Sequence, residues 1–309
     1  MESALVSAVI TTHNRAPSIV LRAVNSVLNQ SYGNIELIVV DDSDSDYPQR
    51  EEVEKEIAIA SPIIRYIKHE ECKGACAARN TGLSLSGGSY VAFLDDDDEW
   101  LYDKIEEQLK GFTDSNIALV YCGCLNIDEI QQQESERQVS FQRGYVLNAL
   151  LKNNFIGGTS IPLIRKECVE AIGGFDIEMQ SAQDFDVWVR ISKKYQINYI
   201  DKLLVKHYIH KGERISSDLD KKIAGLERIN SKYSESIDRD SDIWYARHMV
   251  LVPFYGRKGW EKKAWSTWFQ CIQKRPRNIR ENLRQLLFLV FCCERCRRLR
   301  CSVEDLMRK

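Results

Sequence analysis

The chain lacks the features of a secreted, membrane-spanning or nucleic-acid-binding protein. Its longest unbroken apolar run is LLFLVFCC, residues 286–293, well short of the roughly 20 residues that span a bilayer. No basic segment precedes the first apolar stretch in MESALVSAVITTHNR, so no secretory signal is expected and a cytoplasmic setting is. Neither sign of charge dominates: 43 Lys and Arg against 45 Asp and Glu leave a formal net charge of -2, which offers no general attraction for nucleic acid. Proline is scarce, at six, and no repeat or low-complexity tract interrupts the chain. Cysteine is not scarce, at ten, but the residues are scattered through a chain long enough to bury a core without staples. The tail cluster Cys292, Cys293, Cys296 and Cys301 holds one C-x-x-C and lacks the second spaced pair of a zinc module.

What is present is alternation. VSAVITT (6–12), IELIVVDD (35–42), IIRYIKH (63–69), YVAFLD (90–95) and IALVYCGC (117–124) are short Val- and Ile-rich runs. Helical stretches separate them: Pro17 opens the first, QREEVEKEIAIA and CAARNTGLSLS follow, and another spans about Tyr102 to Phe112. Strands of this kind alternating with helices predict a parallel sheet covered on both faces. Beyond it, YVLNALLK, RKECVEAI and AQDFDVWVRISKKY read as helices, and INYIDKLLVKHYIH as two short strands. From about 216 the chain is helical and polar, its aromatics spaced for helix packing. The expected division is a catalytic-type domain over 1–215 and a helical region over 216–309.

In a parallel sheet, ligands bind beyond the carboxyl ends of the strands. The first strand ends in Thr11, Thr12, His13, Asn14 and Arg15, the second in Asp41-Asp42, and the fourth in Asp95 to Asp98 followed by Glu99 and Trp100. Five adjacent carboxylates repel unless a cation or strong hydrogen bonds hold them. Capping the next helix explains one or two of them. An Asp-x-Asp pair at a strand end also offers the oxygen ligands that Mg2+ or Mn2+ prefers. Asp41-Asp42 is either a plain turn or a carboxylate placed to accept from a base N–H or a ribose hydroxyl. Arg79, in GACAARNTG, is either a surface helix residue or a guanidinium that forks onto a diphosphate.

The ordered set VITTHNR, IELIVVDDS, GACAARNTG, YVAFLDDDDEW and GGFD…AQDFDVWVRI, over residues 5 to 216, resembles glycosyltransferase family 2, the inverting nucleotide-sugar transferases of GT-A fold. The resemblance implies an α/β, Rossmann-like, mostly parallel sheet flanked by helices, with a helical C-terminal extension. It implies nucleotide contacts from Thr11, Thr12, His13, Asn14 and Arg15, where His13 replaces the family's common Tyr. It implies a base contact from Asp42 with Asp41 beside it, and Arg79 facing the nucleotide. Asp95, Asp96 and Asp97 cover the family's D-x-D; Asp97 and Asp95 become ligands of Mn2+ or Mg2+, and Asp96 a donor contact. Asp98, Glu99 and Trp100 shape the loop and begin the next helix.

The family's catalytic base lies in a Glu-Asp pair. Here the pair is Gln183-Asp184, so Asp184 is the only matching base, and Asp186, about 200° around the helix, is read as structural. VKHYIHKGERISS resembles the segment that closes over the diphosphate, which makes His210 a further metal ligand, with His207 three residues before it.

The expected activity is transfer of a sugar from a nucleotide-diphosphate donor, UDP-linked, to a hydroxyl of a glycan or lipid-linked acceptor in cell-surface polysaccharide synthesis. Two alternatives stand beside it. Nucleotidyl transfer requires a glycine-rich triphosphate loop after the first strand, and TTHNRAPS has no glycine. A sugar-nucleotide-binding module without turnover draws on the missing acid at Gln183. Nucleic acid is not an expected partner. RENLRQLLFLVFCCERCRRLR flanks an apolar block with arginine, which suits peripheral contact with an anionic membrane through 283–300, or packing on the catalytic domain or a second subunit as a homo-oligomer. The glutamine-rich 125–145 segment reads as a mobile flap.

Overall fold

A computed structural model of the 309-residue chain describes residues 3–136, 141–209 and 218–292. The chain divides into two compact units. One comprises Met1–Leu150, Asn154–Glu178 and Gln183–Gly212; the other comprises Leu151–Asn153, Met179–Ala182 and Glu213–Lys309.

The first unit begins with β1 (Val6–Thr12), α1 (Pro17–Leu28), β2 (Ile35–Asp41), α2 (Arg50–Ala60), β3 (Arg65–Lys68), α3 (Ala75–Leu85) and β4 (Tyr90–Asp95). The four strands run parallel in the order β3-β2-β1-β4. Val6, Ala8, Val9 and Ile10 are fully buried, as a strand covered on both faces requires. Gly82 lets α3 lie directly on β1, since a Cβ there would sit 2.2 Å from Val9 Cγ1. The register matters most for function. Thr12 pairs with Asp41 and Thr11 with Asp95, so the ends of β2, β1 and β4 share one edge.

The chain continues through β5 (Asp98–Trp100), α4 (Lys104–Leu109), β6 (Ile117–Asp128), β7 (Gln133–Glu136), α5 (Leu147–Lys152), β8 (Leu163–Arg165), α6 (Lys166–Glu170), α7 (Gln183–Ser192) and β9 (Gln196–Ile209). From β4 the sheet becomes mixed, passing through β8, β6, β9 and β5, with β7 as a hairpin partner of β6. Asp98 and Glu99 do not begin a helix: they form β5, antiparallel to β9, with Asp98 opposite His207 and Trp100 opposite Val205. The partner lies more than a hundred residues away, and three residues carry no period that would announce a strand. The glutamine-rich segment expected as a flap folds back in part as β7. INYIDKLLVKHYI is one strand, not two. Its pairing to β6 jumps between Cys122–Ile200 and Gly123–Leu203, so Asp201 and Lys202 bulge out and break the alternation.

The second unit holds α8 (Leu219–Lys232), α9 (Ser234–Asp238), α10 (Ser241–Met249), α11 (Val252–Arg257), α12 (Glu261–Lys274) and α13 (Ile279–Cys292). Asp218 and Asp240 cap α8 and α10 through their side chains. Tyr245, Tyr255, Trp268 and Leu289 meet in its core, with Trp268 Nε1 donating to the Asn282 carbonyl and Tyr245 to Asn282 Oδ1. Tyr245, Tyr255 and Trp268 therefore serve packing, while Trp260 and Phe269 are exposed. No helix among the described residues is long and apolar enough to cross a membrane.

Candidate active site

The edge shared by β2, β1 and β4 carries most of the residues singled out from sequence. At its β2 end Asp42 is 3 % exposed. Its Oδ1 accepts from His69 Nδ1 at 2.7 Å and Lys73 N at 2.8 Å; Oδ2 accepts from Gly74 N at 2.8 Å and the Cys72 thiol at 3.5 Å. Gly74, with φ +89°, provides the left-handed turn into α3 that other residues resist. His13 is exposed, and its Nδ1 donates to the Asp42 carbonyl at 2.8 Å.

Asn14, at φ 48°, adopts the left-handed conformation that asparagine tolerates. It ties the end of β1 to the turn after β2, its amide reaching Asp44 at 2.6 Å and its backbone N–H donating to Ser43 Oγ at 2.9 Å. The Asp41 side chain, expected beside the base contact, is 1 % exposed and accepts from Arg50, Tyr66 and the Ser43 backbone. Burial works to raise its pKa, but these hydrogen bonds outweigh it and the net shift is downward. It anchors the end of β2.

At the β4 end the aspartates separate into distinct roles. Asp95 accepts from Arg79 at 2.7 Å and from Thr159 at 2.8 Å. Burial opposes its charge, yet Arg79 and Thr159 hold its pKa below the ordinary value. Asp96 is buried, accepting from Thr12 at 2.8 Å and Arg15 at 3.1 Å. Burial, with Asp97 and Asp95 adding negative charge, pushes it up to about 7 despite Arg15. Its carboxylate is thus spent inside the protein, at odds with the donor contact expected of it. Asp97 lies 3.4 Å from the other Arg15 nitrogen, and its carbonyl accepts from Arg22 at 3.0 Å. Asp98 is buried between His207 at 2.8 Å and Ser160 at 2.5 Å, and burial raises its pKa. Ser160 also accepts from the Asp95 backbone N–H.

Arg79 joins this cluster to α7. It is 7 % exposed, and while one guanidinium nitrogen donates to Asp95 the other donates to Gln183 Oε1 at 2.8 Å. Next to Gln183, the half-buried Asp184 accepts from Asn154 at 3.2 Å. Burial raises its pKa, and the charge of Asp95 adds to that, against Arg79 and the Phe185 and Asn154 hydrogen bonds. Asp186 is fully buried and paired with Arg190 at 2.7 Å, the structural role expected of it. Trp188 Nε1 donates to the Gly157 carbonyl at 2.9 Å, which fixes the IGGTS loop that delivers Thr159 and Ser160. His210 lies outside the described residues; among those described, His207 meets Asp98.

Thr11, Thr12, Arg15, Asp95, Asp96 and Asp97 therefore lie along one edge of the sheet, joined through Arg79 and Gln183 to the helix that carries Asp184, with His13, Asn14 and Asp42 at the β2 end of that edge. Sequence reading missed Thr159, Ser160, Asn154 and Arg22, and named His207 only as the neighbour of His210. The first three lie in or beside the glycine turn IGGTS, residues 156–160, and their hydroxyl and amide groups carry no pattern of their own.

Residues 7–173 match the family described as "Glycosyl transferase family 2". The chain belongs to glycosyltransferase family 2. It is 29 % identical over 242 residues to "Putative colanic acid biosynthesis glycosyl transferase WcaA" of Escherichia coli K12, covering 77 % of this chain and 84 % of that protein. It is 31 % identical over 201 residues to the Escherichia coli "UDP-Glc:alpha-D-GlcNAc-diphosphoundecaprenol beta-1,3-glucosyltransferase WfgD", covering 65 % and 75 %. The family 2 fold is also that of S. aureus TarS 1-349 solved in complex with UDP-GlcNAc, with a TM-score of 0.57 at 16 % identity, covering 87 % of this chain and 81 % of that one. The chain has the GT-A architecture, with helices following the glycosyltransferase sheet.

Proposed function

We propose that this family 2 enzyme moves a sugar from a UDP-sugar, with inversion, to a hydroxyl of a glycan or lipid-linked acceptor during cell-surface polysaccharide assembly. The names of similar proteins support this reading: one is named a UDP-Glc:alpha-D-GlcNAc-diphosphoundecaprenol glucosyltransferase, and two others carry names that begin "Putative colanic acid biosynthesis" and "Putative teichuronic acid biosynthesis". The observation that carries it is the strand register. Thr12 beside Asp41 and Thr11 beside Asp95 bring the ends of β2, β1 and β4 to one edge, to whose β2 end we assign the base and to whose β4 end the diphosphate, and Arg79 links that edge to Gln183, next to Asp184.

The donor set fits a hard divalent cation. Asp95 and Asp97 offer oxygen only, and they stand on either side of Asp96, whose pKa burial first and then their charge push up to about 7; Mg2+ or Mn2+ would relieve that local negative charge. Asp97 and Asp95 would hold it, and once bound it supplies neutralisation of the leaving diphosphate. The remaining work belongs to the chain. Asp184 accepts the acceptor hydroxyl proton as that oxygen attacks the anomeric carbon, while the bond from that carbon to the diphosphate oxygen breaks. Its raised pKa makes it a stronger base than a free carboxylate. Arg79 fixes Asp95 and, through Gln183, the first turn of the helix that presents Asp184. Thr11, His13, Asn14 and Asp42 form the base end of the crevice, and Arg15 orders Asp96 and Asp97.

We assign this chemistry to residues 1–215. To 216–309 we assign packing or self-association, and to 283–300 peripheral contact with an anionic membrane face. The test is a screen of UDP-sugars for Mn2+-dependent thermal stabilisation and UDP release. The Asp97→Asn protein should lose the metal-dependent part of the stabilisation, and Asp184→Asn should keep donor binding while losing turnover. Near-normal transfer by Asp184→Asn removes the base assignment; turnover unaffected by EDTA removes the metal.

A further inference from the structure

We propose that the base end of the crevice is also a site for a thiophilic divalent cation, Zn2+ or a chemical equivalent, held by His13, Asp42 and Cys72. Its consequence, exclusion of the donor's base, rests on reading that end as the nucleotide pocket. One ligand atom from each residue lies within 4.8 Å of the others. Cys72 Sγ is 3.8 Å from His13 Nδ1 and 3.5 Å from Asp42 Oδ2. Zn–S bonds of about 2.3 Å and Zn–N or Zn–O bonds of about 2.0–2.1 Å at a tetrahedral angle place such pairs about 3.6 Å apart. These two separations straddle that figure, and the third pair, His13 with Asp42, lies within 4.8 Å.

Two further features mark the cluster as a site. His13 and Cys72 are exposed while Asp42 is buried, which gives an entry path onto an anchored ligand. Asp42 is fixed from behind by His69 Nδ1, Lys73 N and Gly74 N, the outer hydrogen bonds that orient metal ligands. A thiolate, a carboxylate and a neutral imidazole together balance a 2+ charge. The protons are accounted for: the thiol proton now shared with Asp42 leaves to solvent, and the His13 proton moves from Nδ1 to Nε2 by exchange. Sulfur and nitrogen donors select against Mg2+, just as the oxygen-only set at Asp95 and Asp97 selects for it. The crevice thus presents a soft site at one end and a hard site at the other.

An ion on Asp42 Oδ2 takes the acceptor a base N–H would use, so ion and nucleotide compete. The test uses full-length reduced protein saturated with Mg2+ and titrated with Co2+, whose thiolate charge-transfer absorption reports sulfur coordination. The wild-type minus Cys72→Ser difference should contain that band, Zn2+ should remove it, and His13→Gln should weaken Co2+ binding by more than about tenfold. Saturating UDP should raise the apparent Co2+ Kd by about tenfold or more. An identical spectrum in Cys72→Ser, with the absorption owed to other thiols, overturns the site. A band that Cys72→Ser abolishes but UDP does not displace keeps the metal site and overturns the base pocket.

Discussion

Asp184 sits between opposing influences that set its titration. Burial and the neighbouring charge of Asp95 raise its pKa, and the Asn154 amide at 3.2 Å works against them. A base must be ionised to accept a proton, so activity should be lost as pH falls through this raised pKa, above the ordinary carboxylate range. Asn154→Ala removes a donor to the charged form. The acid limb of kcat/KM should then move to higher pH. A limb that stays in place or moves down would show that another group controls it. Asp184 could be found from sequence because it closes a motif, whereas Asn154 could not: it lies thirty residues earlier in the chain and meets Asp184 only through the fold. Gln183 shows the same limit. From sequence it is an acid that is missing; in the structure it is the neutral acceptor for Arg79, which leaves the arginine's charge to Asp95 and to whatever anion enters.

The turn between β4 and β5 is held from outside the crevice. Arg22, on α1, donates to the Asp97 carbonyl at 3.0 Å and stacks 3.6 Å over the Tyr208 ring, whose hydroxyl donates to Glu99 at 2.6 Å. Lys206 meets Glu99 at 3.0 Å from the same strand, β9. A planar guanidinium can stack and donate at once, which an ammonium cannot. Arg22 is therefore a positioning residue for Asp97. Arg22→Met should weaken Mn2+ binding to the protein, read by loss of the free-ion electron paramagnetic resonance signal, by about tenfold. UDP binding in EDTA should be unchanged, and Arg22→Lys should fail to restore the metal affinity. Full rescue by lysine would reduce the role to charge alone. The parallel elements β1 to β4 were legible because burial on both faces writes a continuous Val/Ile run into each. β5 and β7 were not, because each is defined by a partner strand and by nothing in its own few residues.

For the molecule as a whole, the helical unit presents an uncovered stripe. Ile279, Leu283, Leu287 and Val290 are all exposed along α13, at spacings that put them on one face. Arg280 and Arg284 lie on the same helix, and residues 293–300 of the sequence carry Arg295, Arg297, Arg298 and Arg300 against Glu294. Apolar insertion and attraction of about 1 kcal/mol per basic residue near an anionic surface act together in such a segment. An acceptor anchored in lipid would make that contact useful, since it holds the enzyme where its substrate is concentrated. The intact protein should co-float with vesicles containing phosphatidylglycerol, less so with purely zwitterionic vesicles and less at high salt. Leu283→Glu with Leu287→Glu should abolish flotation while leaving UDP binding in the other unit intact. Equal recovery of wild type and variant in the soluble fraction would remove the membrane assignment. A shift from dimer to monomer in the variant, without any flotation of the wild type, would assign the stripe to a second copy of the chain.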